Sequence, residues 1–390
     1  MKLTKSIGLT RGLVTAIACL GFAIAIAGPA GAKGMKKGTG YVQTNLISDI
    51  AGRAQVHDPN LLNPWGLAFF PGQSPFWINE NNAGFSALYT ADAVPFPALP
   101  MVTIPPPPPS TSIGTPTGII ANFAVGAGAF QIVPASDHTK NFGAALFVFD
   151  TEDGTIEAWN ETVPDITTAV IVVDNSAGGA DTGAVYKGLA LGSNTANGPL
   201  LYATNFRTGN VDVFDQTFQP PSPALTGSFV DPQVQQGYAP FGIQNIGGNI
   251  WVTYAKQDKA KHDPVNKPGH GFVSEFTSDG VLIAHFAQHG HLDSPWGLAM
   301  ATANFGQFSN DLLVGNFGDG VINVFDPNTM HWLAALPGPH GRPLVNDGLW
   351  SLTFGGALNS DGSTSPADTL FFSAGLNDEA DGLFGTIVAQ

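Results

Sequence analysis

The chain has few charged residues and a single cysteine. Only 12% of its 390 residues are charged, and the one cysteine, Cys19, lies inside an apolar run over residues 12–28. Downstream of residue 32 the sequence excludes disulfide bonds and thiol catalysis, so stability must come from a large hydrophobic core. We find no serine nucleophile elbow, phosphate loop, CxxC or HExxH motif.

Basic residues are scarcer than acidic ones. Lys and Arg number 15 against 30 Asp and Glu, which gives a formal net charge of −15. Nucleic acids and anionic membranes are bound through clustered Lys and Arg. The sequence therefore predicts neither partner, and its acidic surface is typical of a protein that is kept soluble by its charge.

The N-terminal segment has the pattern of a secretory signal peptide over residues 1–32. Three basic residues precede the apolar run, and small residues follow it at 30–32. This pattern predicts cleavage near Ala32 and a secreted or periplasmic product without a membrane anchor. Residues 33–40 are then a flexible N-terminus.

Two short sequence words recur along the chain. "NPWGLA" (63–68) returns as "SPWGLA" (294–299), and "NFRTGNVDVFD" (205–215) returns as "NFGDGVINVFD" (316–326). Weaker copies of the first word surround Gly118, Gly188 and Gly242. Copies spaced by about 55 residues indicate a stacked or circular array.

A glycine count gives the number of repeats. Six glycines each precede a strand-like run, and a large apolar residue follows each of them five positions later. The pairs are Gly84–Tyr89, Gly154–Trp159, Gly209–Phe214, Gly271–Phe276, Gly320–Phe325 and Gly382–Ile387. Each glycine is expected to give the turn between the second and third strands of its repeat a positive φ. Six repeats of four antiparallel strands, a to d, predict an all-β fold, the six-bladed β-propeller, with Trp65, Trp296 and Phe325 buried at blade contacts.

The N-terminal strand predicted at 41–48 completes the ring. The last repeat ends one strand short, and "YVQTNLIS" alternates apolar and polar residues. Pairing this strand with the C-terminal strand removes two exposed edges. The predicted blades cover approximately 61–113, 114–183, 184–236, 237–292, 293–345 and 346–390 plus 41–50.

On the words "NPWGLAF", "NFRTGNVDVFD" and "NFGDGVINVFD", residues 41–390 resemble the bacterial propellers with NHL-type repeats. The chain looks most like an exported, functionally uncharacterised family among them. The resemblance implies the fold and export. It does not imply one activity, because propellers host unrelated chemistries and pure binding.

The positions four residues before the turn glycines carry mostly oxygen side chains. Asx side chains there cap their own turns, or they form a ring of ligands for a hard cation such as calcium. The residues at these positions are Glu80, Asp150, Asn205, Lys267, Asn316 and Asp378. With Asp347, Glu80 and Asp378 are candidate metal ligands, and Asn205 and Asn316 are candidate ligand-binding residues.

Histidines make a second candidate site. His57, His289, His291 and His340 lie in connections that lead into the first, fifth and sixth repeats, which are neighbours in a closed ring. If they converge, they could bind zinc or copper. The other interpretation is that they are ordinary exposed histidines.

The segment 255–271 is rich in lysine. It contains Lys256, Lys259, Lys261 and Lys267. It is either a solvated insertion or a lid that holds an anionic ligand over the channel mouth.

Two functions remain. The first is a monomeric scaffold that binds a small molecule or a protein at the face carrying the d–a and b–c loops. The alternative is a metal-dependent hydrolase or lyase of lactonase type, with calcium or zinc at the channel. In either case we expect one channel mouth to gather His57, Glu80, Lys256, His289, His340 and Asp347.

Overall fold

A computed structural model describes residues 40–176, 183–286 and 290–390. The predicted signal peptide and most of the predicted flexible N-terminus lie outside these ranges. No helix in them is long and apolar enough to cross a membrane.

The described residues form strands and very little helix. Helical turns cover Val125–Ala127, Gly306–Phe308 and Leu376–Glu379. The strands are β1 (Tyr41–Ser48), β2 (Val56–His57), β3 (Pro64–Ala68), β4 (Phe76–Glu80), β5 (Phe85–Tyr89), β6 (Met101–Thr103), β7 (Pro116–Ala121), β8 (Phe147–Thr151), β9 (Thr155–Trp159), β10 (Val170–Asp174), β11 (Tyr186–Asn194), β12 (Gly198–Asn205), β13 (Asn210–Asp215), β14 (Tyr238–Ile246), β15 (Asn249–Lys256), β16 (Gly271–Phe276), β17 (Leu282–Phe286), β18 (Pro295–Met300), β19 (Leu312–Asn316), β20 (Ile322–Phe325), β21 (Trp332–Ala335), β22 (Leu349–Phe354), β23 (Leu370–Gly375) and β24 (Asp381–Ala389).

These strands form six sheets, one for each predicted repeat. Blades 1 to 5 are β3–β6, β7–β10, β11–β13, β14–β17 and β18–β21, and blade 6 joins β22, β23 and β24 to β1 and β2. The prediction of an all-β, six-bladed propeller is confirmed.

Blade 6 closes the ring with strands from both ends of the chain. Strand β1 pairs antiparallel with β24, from Tyr41 opposite Ala389 to Ser48 opposite Leu383. The Tyr41 hydroxyl donates to the Phe305 carbonyl at 2.7 Å, which ties the closing strand to the neighbouring blade 5. The predicted closure is therefore confirmed, and β2 adds a parallel fifth strand that the sequence did not indicate.

Blade 3 differs from the prediction of four strands in every blade. Within the described ranges its sheet ends at β13. The chain that follows contains Pro220, Pro221 and Pro223. Proline lacks the N–H that a sheet ladder needs, so this segment cannot form a regular outer strand.

The recurring "PWG" word has a steric cause at the centre of the ring. A Cβ on Gly66 would come within 2.6 Å of the Thr117 carbonyl oxygen, and one on Gly242 within 2.1 Å of the Trp296 carbonyl oxygen. The innermost strands of adjacent blades approach so closely that only glycine fits between them. The word is repeated because this contact is repeated.

The turn glycines follow the expected backbone geometry in four blades. Gly84, Gly154, Gly209 and Gly320 have positive φ. The expectation was wrong for Gly271 and Gly382, where crowding is the constraint instead. A Cβ would come within 2.4 Å of Pro295 at the first and 2.2 Å of the Leu61 carbonyl oxygen at the second.

Candidate functional site

One residue from each blade's innermost strand lies immediately before the close inter-blade contact. In blade order these residues are Trp65, Thr117, Lys187, Phe241, Trp296 and Trp350. We call them the axial ring.

The aromatic members of the axial ring pack against each other across the centre. The rings of Trp65 and Trp350 stack with centroids 3.5 Å apart, and Trp296 meets Trp65 edge-on at 6.2 Å. Phe241 lies 5.8 Å from Trp350. All four side chains are buried. Trp65 and Trp296 are thus buried as expected, but they fill the axis rather than a contact between two blades, whereas Phe325 packs in a cluster shared by blades 4 and 5.

Lys187 is the charged member of the axial ring. Its side chain is only 1% exposed, and its ammonium lies 5.3 Å from the Trp65 ring centroid and 5.8 Å from that of Phe206. The ammonium donates to Glu152 Oε1 and lies 3.5 Å from Asp263 Oδ1. A buried charge needs such paired charges and can also be stabilised by aromatic faces.

The two carboxylates beside Lys187 have further partners. Glu152 Oε2 accepts a hydrogen bond from Asn81 at 3.0 Å. Asp263 Oδ1 is 2.9 Å from His262 Nδ1. This hydrogen bond lowers the pKa of Asp263 to about 2 and raises the pKa of His262 above its usual value.

Glu379 adds a third carboxyl group. Its Oε2 accepts from Asn63 Nδ2 at 2.8 Å, and Asn63 Oδ1 accepts from the indole N–H of Trp350 at 2.9 Å. Burial raises the pKa of Glu379, and the negative charge of Glu152 raises it further. We call Glu152, Lys187, His262, Asp263 and Glu379 the channel-mouth cluster.

A hairpin from blade 4 brings two members of the cluster to the axis. The N–H of Val265 donates to the Lys256 carbonyl at 2.8 Å, and that of Asp258 donates to the Asp263 carbonyl at 2.9 Å. Residues 256–265 therefore extend the turn between β15 and β16 far enough for Asp263 to contact Lys187 of blade 3. We call this segment the mouth hairpin.

The lysines of the predicted lid do not make that contact. Lys259, Lys261 and Lys267 are exposed, and Lys256 is half-buried. The mouth hairpin meets the axis through an acid and an imidazole. Capture of an anionic ligand by its lysines stays a prediction.

One group in the described residues has metal-ligand spacing. One ligand atom from each of Glu152, His262 and Asp263 lies within 4.8 Å of the other two. Carboxylate oxygen and imidazole nitrogen suit zinc, and the oxygens also suit calcium. The Lys187 ammonium already contacts both carboxylates of this group.

The acidic residues singled out from the sequence are not members of this group. Glu80 is fully buried, and neither of its carboxyl oxygens has a hydrogen-bond partner among the described residues. Burial, followed by the charge of Asp58, raises its pKa well above the usual value. Asp347 is exposed and accepts from the Asn377 N–H at 3.2 Å. Asp378 is exposed, and it is its neighbour Glu379 that belongs to the cluster.

The two candidate asparagines bond within or beside their own turns. Asn205 Nδ2 donates to Asp212 at 2.9 Å, and its Oδ1 accepts from the Thr208 N–H at 3.3 Å. Asn316 Nδ2 donates to Asp319 at 2.9 Å and to the His291 carbonyl at 3.0 Å. These contacts favour the turn-capping interpretation.

The structure does not bring the described candidate histidines into the cluster. His57 lies on β2, the outermost strand of blade 6, with Nε2 2.8 Å from the Asp49 carbonyl oxygen. His340 is exposed in the turn before β22. His289 lies outside the described residues. His291 stacks on Trp332 of the outermost blade 5 strand, at 4.0 Å.

Sequence reasoning missed Glu152, Lys187, His262 and Asp263 as site residues. A signal for Lys187 was present, because "VYKGLALG" has lysine where four other repeats have tryptophan or phenylalanine and one has threonine. No comparable signal marks Asp263, because the spacing of residues in the sequence does not predict the direction in which a long hairpin points.

Beyond the axial ring the channel continues between the innermost strands. Its empty volume, including the open end, is about 410 Å³. All six blades line it, and the polar side chains come from Gln244, Ser351 and Thr353.

No protein-family model matches the chain. It is 31% identical over 347 residues to "Uncharacterized protein L690" of Acanthamoeba polyphaga mimivirus, covering 88% of this chain and 84% of that protein. It is 29% identical over 349 residues to "Uncharacterized protein R648" of the same virus, covering 88% and 78%. Among solved structures, a putative gluconolactonase has 13% identity and a TM-score of 0.47, with 91% of this chain and 94% of that chain covered. The bacterial origin that we inferred from the sequence stays a prediction. The chain belongs to the protein family that includes the mimivirus protein "Uncharacterized protein L690".

Proposed function

We propose that this protein is a binding propeller that recognises its ligand at the channel mouth without a catalytic metal. The observation that carries the proposal is the position of the Lys187 ammonium. It bonds to Glu152, lies 3.5 Å from Asp263 and rests against two aromatic rings.

An ammonium in this position opposes a metal at the same carboxylates. Two unit charges 4 Å apart repel by about 4 kcal/mol at an effective dielectric of 20, so a divalent ion would meet about 8 kcal/mol. The carboxylates of Glu152 and Asp263 are already paired with the Lys187 ammonium. The buried side chains of Trp65, Trp350 and Phe241 also fill the centre of the axial ring.

The ligand that fits this face carries an anionic group. Lys259 and Lys261 are exposed on the mouth hairpin, which the Asp263–Lys187 contact anchors at the axis. Lysines held beside a mouth can attract a carboxylate or phosphate of a small molecule or of a protein surface.

The proposal includes export as a monomer to the periplasm or the medium. It is supported by the signal-peptide pattern of residues 1–32. N-terminal sequencing of protein from the natural host should find a chain that begins near Lys33. An intact segment 12–28 in the purified protein would contradict export by this route.

A second candidate function is a metal-dependent hydrolase or lyase at the same mouth. The observation in its favour is the spacing of Glu152, His262 and Asp263. In that case the three side chains would hold zinc or calcium, and Lys187 would be a cationic group beside the metal.

Metal content separates the two functions. Wild-type protein, incubated with zinc or calcium and dialysed, should retain no stoichiometric metal. The variant K187M should gain zinc, and K187M/H262Q should lose that gain. K261M removes the same charge from an exposed site and should bind no zinc. One equivalent of metal in the wild type, lost in H262Q, would instead establish the metal site.

A further inference from the structure

Blade 3 has an open edge where other blades have an outer strand. Its sheet ends at β13 (Asn210–Asp215), whereas blades 1, 2, 4 and 5 each continue to a fourth strand. An edge strand exposes a row of N–H and C=O groups that another strand can pair with.

The register identifies which groups of β13 face outward. In blade 1 the turn glycine is Gly84, and four residues later the N–H of Leu88 donates outward to Pro100 at 2.8 Å. In blade 3 the turn glycine is Gly209, and it makes the same turn bond, to Asn205 at 3.0 Å. The matching positions, two and four residues after Gly209, are Val211 and Val213. Within the described residues no group bonds to their backbone on the outward side.

Among the described residues the chain after β13 adds no strand to this edge, although at its end the Asp215 N–H donates to the Gln219 carbonyl at 2.7 Å. After β13 it crosses to blade 4, where the Gly227 N–H donates to the Asp279 carbonyl at 2.8 Å and the Phe229 N–H donates to the Gly280 carbonyl at 3.0 Å. Val213 is half-buried, while Leu88 at the matching position in blade 1 is only 2% exposed. The Val211 side chain is buried in a hydrophobic cluster that includes Phe229.

We propose that the outer edge of β13 binds an extended polypeptide segment as the fourth strand of blade 3. The edge carries two half-buried aspartates on a chain of net charge −15: Asp212, which accepts hydrogen bonds from Asn205 and Tyr186, and Asp215, whose Oδ1 accepts one from Thr217. The segment that fits has β-branched residues and basic side chains. A second copy of this chain fits poorly, because antiparallel self-pairing would bring the aspartates of two copies together.

The first test uses wild-type protein and a short synthetic peptide of alternating valine and threonine with lysine at both ends. One version has N-methyl groups on the amides that would face β13, and a matched version has them on the opposite amides. Losing two backbone hydrogen bonds should weaken binding about tenfold. We expect the first version to lose about tenfold in fluorescence anisotropy and the second to bind like the unmodified peptide.

The second test changes the protein. V213P removes an outward N–H without removing a ladder bond to β12, and V213A is the matched control that keeps it. V213P loses one of the two hydrogen bonds and should bind about threefold more weakly, and V213A should bind about as tightly as wild type. The unmodified peptide should slow hydrogen exchange at Val211 and Val213. Equal binding of the two methylated peptides, protection confined to another blade, or a dimer joined through β13 would overturn the proposal.

Discussion

Replacing Lys187 with methionine should destabilise the protein strongly, although methionine has a similar volume and no charge. The substitution leaves Glu152 without its ammonium partner, and the Glu152 side chain is only 11% exposed. Breaking a buried ion pair by removing one partner costs about 3–5 kcal/mol. We expect a loss of that size in the free energy of unfolding at neutral pH.

The double variant E152Q/K187M identifies the cause of that loss. If the unpaired carboxylate is responsible, neutralising it should restore more than half of the stability, and the two substitutions should be strongly non-additive. Urea unfolding followed by tryptophan fluorescence is a suitable assay, since Lys187 lies against Trp65. A loss of less than about 1 kcal/mol in K187M would refute the reasoning, because that is the value typical of ion pairs on the surface. A double variant no more stable than K187M would refute it as well.

Three further predictions concern closure, protonation and ligand charge. Deleting residues 33–48 removes β1 and exposes the edge of β24, so the melting temperature by circular dichroism should fall sharply; an unchanged melt would contradict the closure. Burial raises the pKa of Glu80 in the folded state, so the wild-type free energy of unfolding should fall as pH rises above about 4.3, where the unfolded chain releases the proton. E80Q should flatten that slope, and an identical slope in both proteins would contradict it. The double variant K259E/K261E should abolish thermal stabilisation by anionic ligands that stabilise wild type, and undiminished stabilisation would remove the mouth hairpin from the binding site.

The fold could be predicted from the sequence because its cause is local and repeated. In blades 1 to 5 the innermost strand meets its neighbour at a glycine, so Gly66 and Gly297 lie at the same position of the repeated word. Closure was predictable because the last repeat lacks one strand and residues 41–48 supply a strand before the first repeat. The open edge of blade 3 was not predicted, although Pro220 and Pro221 mark the segment that cannot form the outer strand.

The site was less predictable because its residues come from several blades. Lys187 was visible as the one charged residue at a position of the repeated word where the other five repeats have an aromatic residue or threonine. Asp263 was not, because the direction of the mouth hairpin depends on its contact with Lys187. At the blade 6 turn the sequence singled out Asp378, whereas the structure places its neighbour Glu379 in the channel-mouth cluster. Residues 377–379 all have positive φ there, a backbone path that spacing rules do not anticipate.

The most direct test of the central claim is the anomalous scattering of zinc in crystals of the wild-type protein grown with the metal. We predict the Lys187 ammonium beside Glu152 and no zinc peak at the channel mouth. A zinc peak shared by Glu152, His262 and Asp263, with Lys187 turned away from both carboxylates, would contradict the account.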